Sequence, residues 1–63
     1  MTQKELSYVE DAVGHEDNII KICSETIAHL ENENLVEFIN KELKKHSLIK
    51  NNLMKKMEEK CNE

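Results

Sequence analysis

The sequence predicts an all-α chain: an antiparallel two-helix hairpin that a second copy completes into a four-helix bundle. Three observations lead there. Charged residues make up 35% of the 63 positions and aromatics 3%, with one Gly and no Pro. Strands favour β-branched and aromatic residues punctuated by turns, so this profile suits long exposed helices. Apolar residues recur at alternating steps of three and four in both halves of the chain. Between the halves, the run "LENENL" at residues 30–35 interrupts the pattern.

The first helix is expected over about residues 2–30. Thr2 and Glu5 form a T-x-x-E capping box, and Met1 with Leu6 can make the hydrophobic staple around it. Leu6, Val9, Val13, Glu16, Ile20, Cys23, Ile27 and Leu30 then form an a/d seam with one exception, Glu16. Ala12, Ile19 and Ile22 widen the apolar face beyond a coiled-coil seam, which implies contact with more than one neighbouring helix. Gly14 costs about 1 kcal/mol relative to Ala inside a helix. It marks either a kink or close approach beside His15 and Glu16, or a tolerated position on a solvent face.

The turn is expected at residues 31–34. Gly and Pro are absent from it, so Asn32 or Asn34 would supply any left-handed residue. Asn34 followed by Glu37 suggests a box-like cap for a second helix over about residues 35–61. Its seam reads Leu35, Ile39, Glu42, His46, Ile49 and Leu53, flanked by Val36, Phe38, Leu43, Met54 and Met57. Beyond Leu53 the strict seam falls on Lys56 and Lys60, so the last turns are expected to fray or to pack through Met57 and Cys61.

Each helix of ~28 residues is roughly 40 Å long, and a short connection makes the two antiparallel neighbours. Two helices alone have no interior. A chain this short struggles to bury enough apolar surface by itself, and a two-fold dimer of hairpins is the economical remedy.

Charge narrows the partners. The net charge of −4 argues against nucleic acid, which demands a basic footprint. Residues 1–30 carry two Lys against six carboxylates, whereas residues 41–60 carry seven Lys against three, so the segments attract when folded back. No apolar run approaches the ~20 residues that span a membrane. The N-terminus lacks the layout of a secretion signal, and a cytoplasmic location is expected.

Three ionisable residues fall on the apolar stripes: Glu16, Glu42 and His46. Glu42 and His46 are four apart and share a face. A dimer would hold four such carboxylates and two imidazoles, the ligand inventory of a di-iron or di-manganese bundle. The alternative is a polar cluster, Glu16 pairing with His46 or a Lys, that sets register and orientation. With the turn centred near residues 32–33, His46 would lie ~5 Å along the axis from the level of Glu16 and Glu42 ~10 Å. His15 could add a ligand or be a surface residue; His29, with no partner at ligand spacing, reads as surface. Tyr8 could bond a seam carboxylate or simply cover the bundle end. Cys23 behaves as a small hydrophobe on the seam. An intrachain bridge to Cys61 is excluded because Cys61 would lie ~30 Å further along the hairpin. A link between Cys61 residues of two molecules stays open.

The segments "ELSYVEDAVGHEDNIIKIC" and "LVEFINKELKKHSLIKNNL", with Tyr8, Glu10, Asp11, His15 and Glu16 in the first, resemble the short ferritin-like hairpins of spore-forming Firmicutes, relatives of the spore coat protein F group. The resemblance implies a ferritin-like bundle assembled from paired hairpins, with a coat-associated role. The chain departs from the ferritin-like metal pattern, since Glu42 and His46 are four apart where Glu-x-x-His places them three apart.

Three function classes follow. The first is a non-enzymatic structural or interaction module, a homodimer associated with the spore coat; no nucleophile–base constellation or Gly-rich phosphate loop occurs. The second is an iron- or manganese-binding bundle using Glu16, Glu42 and His46, with His15 as an accessory ligand. The third is a regulator whose hairpin docks on a partner's helices.

Overall fold

The computed structural model describes residues 1–61, with the backbone alone at Cys61. Two helices, α1 (Gln3–His29) and α2 (Glu33–Cys61), pack on each other as a hairpin. Among the described residues there is no strand.

The capping box forms at the start of α1. The Thr2 hydroxyl accepts from the Glu5 N–H at 3.0 Å, and the Glu5 carboxylate accepts from the Thr2 N–H at 2.9 Å. Hydrogen bonding from the Thr2 backbone foremost, and then from the Thr2 side chain, holds the Glu5 carboxyl below its ordinary value of 4.5. At the other end Leu30 leaves the helix in an extended conformation, and its N–H returns to the Ile27 carbonyl at 3.3 Å.

The turn differs from expectation in its capping residue. Asn32, not Asn34, caps α2: its side-chain oxygen accepts from the N–H groups of Asn34 at 2.9 Å and Leu35 at 3.1 Å. Its carbonyl accepts from Val36 at 3.0 Å. The physical reason is reach, because an Asn at the cap position satisfies the N–H groups two and three residues on. Glu37 pairs instead with Lys41, one turn further along, at 3.6 Å. Neither Asn is left-handed, and no described residue has a positive φ. An extended Leu30 and a capping Asn32 reverse the chain without one.

The inner stripes follow the sequence closely, with Leu43 and Met57 joining from the expected flank. Leu6, Val9, Val13, Ile20, Cys23 and Ile27 on α1 and Ile39, Leu43, Ile49, Leu53 and Met57 on α2 are all half-buried or better. At the start of α2, Val36 takes the inner place and Leu35 is left half-exposed. Helix α2 runs on through its last turns, with Met57 carrying the packing. Among the described residues Cys23 alone is buried.

The hairpin is therefore a slab rather than a globule. It measures 47 × 15 × 11 Å, with a radius of gyration of 14.6 Å. A compact domain of this length would have a radius of gyration of about 10.6 Å. No helix among the described residues is long and apolar enough to cross a membrane.

Candidate functional site

Glu16 and His46 meet at mid-length of the hairpin. His46 Nδ1 lies 2.5 Å from Glu16 Oε2, a hydrogen bond linking positions thirty apart in sequence. On the other edge of the ring, Nε2 lies 3.7 Å from Glu42 Oε2. The side chains of Glu16, His46 and Glu42 are 14%, 20% and 35% exposed, so the cluster grades from the seam outward to one flank. This is closer than the sequence register placed them. The turn is centred near Glu31, which brings Glu16 level with His46 and Glu42 within one turn of both.

The arrangement pairs the imidazole with both acids. Each ring nitrogen faces a carboxylate, so neither Glu16 nor Glu42 sits alone on the apolar seam, where an unpaired charge is costly. A single ion could not use the same donors as they stand. The two carboxylates lie on opposite edges of the ring, and the Nδ1–Oε2 separation leaves no room for a metal between them at ~2.1 Å from each. Among the described residues no group of three or more His, Cys, Asp or Glu side chains is arranged to hold a metal ion.

The remaining singled-out residues do not join this cluster. His15 is exposed, as is His29 in the last turn of α1. Tyr8 is exposed as well. A Cβ built on Gly14 would meet nothing within 4 Å, so the glycine permits no close approach that alanine would block. Cys23 is a free thiol. The Cys61 side chain lies outside the described residues, and with it any link between two copies.

One interhelical pair was not singled out from sequence. Lys50 Nζ reaches Asp17 Oδ1 at 2.5 Å. Its sequence signal was the opposite charge of the two segments, but nothing local picks this pair from the other lysines and acids. Its position shows which side of the slab is closed. At about 100° per residue, Asp17 and Lys50 lie on one side of the seam.

The opposite side is open and mixed: its apolar residues share it with the exposed His15, Lys45 and Lys56, which by periodicity fall within about 20° of Tyr8 or Phe38. Tyr8, Ala12, Ile19 and Ile22 fall on the α1 flank away from Asp17. Phe38, Glu42 and Ile49 fall on the α2 flank away from Lys50, with Leu35 at its edge. In an antiparallel pair these two flanks face the same way. Tyr8 is 61% exposed, Phe38 58%, Ile22 51% and Leu35 49%. Leu48 and Met54 are exposed too, but by the same periodicity lie off this face.

No family model, curated protein or solved structure matches the chain. The resemblance to spore-coat hairpins therefore rests on the residues quoted for it alone.

Proposed function

We propose that the chain is a non-enzymatic interaction module whose activity is to pair with a second copy of itself, open face to open face, forming a four-helix bundle. The carrying observation is surface. One chain exposes 5070 Å², whereas a compact monomer of its mass exposes about 4,200 Å². The excess is close to the ~800 Å² that one partner contributes to a stable protein interface. It coincides with an exposed face holding a Tyr and a Phe, residue types enriched at interface cores.

The Glu16–His46–Glu42 row has a role within this reading. It lies at mid-length and grades out to the open face, so a partner chain would cover its exposed edge. Polar groups on a seam disfavour shifted registers because any slip leaves them unpaired. The sequence likeness to hairpins of spore-forming Firmicutes supports a coat-associated role for the assembly. A fluorescent fusion that stays away from the coat would remove that part and leave the rest standing.

Sedimentation equilibrium tests the proposal across about 1 to 100 µM, a range that brackets micromolar dissociation constants. The expected mass is twice the 7.4 kDa of the chain. A cooperative, fully helical 7.4 kDa species throughout that range would overturn it. Elemental analysis of protein purified without added metal separates it from an iron or manganese bundle. Stoichiometric metal, lost in His46→Ala, would favour that second function class instead.

A further inference from the structure

We infer that the two hairpins join with α1 of each lying on α2 of the other and with both turns at the same end of the bundle. This rests on the self-association proposed above and specifies its geometry. Two hairpins stacked face to face with aligned helices have two possible two-fold axes. An axis along the helices places α1 over the partner's α2 and keeps the turns together. An axis across the helices places α1 over the partner's α1, α2 over the partner's α2, and sends the turns to opposite ends. Both bundles have antiparallel neighbours throughout, so backbone packing does not choose between them.

Charge does choose. Residues 1–30 hold two Lys and six carboxylates, and residues 41–60 hold seven Lys and three carboxylates. The crosswise axis sets the lysine-rich segment on its own copy and the acidic helix on its own copy. The lengthwise axis sets each on its opposite. Like charges brought together across an interface are a strong discriminator against that arrangement.

Register agrees with this at the rims. Within one hairpin, Glu16 is level with His46, so positions that sum to about sixty-two share a level. The lengthwise axis preserves levels between subunits. Glu25 then falls about one turn from the partner's Lys41, Asp11 about one turn from the partner's Lys55, and Lys4 beside the partner's Glu59. All of these residues are exposed in the single hairpin, and by periodicity all lie on the sides of the helices turned away from the seam.

Spin labels at the turn read the geometry directly. Glu31→Cys is made in a Cys23→Ala, Cys61→Ser chain whose sedimentation and circular dichroism match those of the natural protein. Turns at one end, with helices packed about 8–10 Å apart, give a label separation of roughly 15–25 Å. Turns at opposite ends of a 47 Å hairpin give more than about 40 Å. The short distance is the expected result. A dimer with the long distance overturns the geometry and leaves self-association intact, whereas a monomer overturns both.

Discussion

Phe38→Ala is the most informative single change, because the residue contributes little inside the hairpin and much to the open face. Phe38 is 58% exposed in the single chain. A phenylalanine offers on the order of 200 Å², so roughly 100 Å² remains to be covered by a partner. At about 25 cal/mol per Å², less what alanine retains, covering it is worth about 2 kcal/mol per copy. Two copies meet in a two-fold dimer, so the dissociation constant should rise by about 4 kcal/mol, close to a thousandfold. Alanine has the higher helix propensity, so α2 does not weaken for local reasons. Sedimentation equilibrium measures the constant, and thermal melts at several concentrations check it through mass action. Asn51→Ala, on the closed side of α2, serves as the control and should leave association unchanged. A Phe38→Ala dissociation constant within threefold of the natural one would refute the assignment of this face.

Three further changes test the rest of the structure. His46→Ala removes the hydrogen-bond partner of Glu16, whose side chain is 14% exposed in the natural chain; it should cost about 2 kcal/mol in urea unfolding. The double variant Glu16→Leu, His46→Leu should recover that loss, since replacing a seam ion pair by apolar groups is often neutral or stabilising. Gly14→Ala meets nothing within 4 Å and should stabilise the chain by about 0.5–1 kcal/mol, seen as a raised Tm. Acid should loosen the first turn of α1. The Glu5 carboxyl is held below its ordinary 4.5, so its contribution is complete above that value and is lost as pH falls through the lower folded one. Protection of the Leu6 amide, relative to its intrinsic exchange rate, should therefore fall in that window, and Glu5→Gln should remove that change.

Much of the fold is legible because helix signals are local. The Thr2–Glu5 box, the three-and-four spacing and the polar run at the turn all act over a few residues, and each forms an element where it stands. The candidate site was half legible. Periodicity placed Glu16, Glu42 and His46 on the inner stripes, but not how far apart along the bundle. That distance depends on the centre of the turn, and every residue of displacement along a helix is about 1.5 Å. Asn32 and Asn34 are the same residue type two positions apart, and both make acceptable caps. Moving the turn centre from residues 32–33 to Glu31 changes the facing position by three residues. That shift brings His46 from about 5 Å along the axis to direct contact with Glu16.

By itself, then, the sequence determined two amphipathic helices of nearly equal length, their charge asymmetry and the identity of the polar residues on their stripes. These follow from neighbours along the chain, whose spacing is set by covalent geometry and helical pitch. Tertiary structure decided which asparagine caps α2, that His46 stands between two carboxylates, and that Asp17 and Lys50 close one side while Tyr8, Ile22 and Phe38 lie open on the other. Those outcomes require two helices to choose a common register and a common handedness of approach. Many residues acting together settle that choice, and no short stretch of sequence contains it.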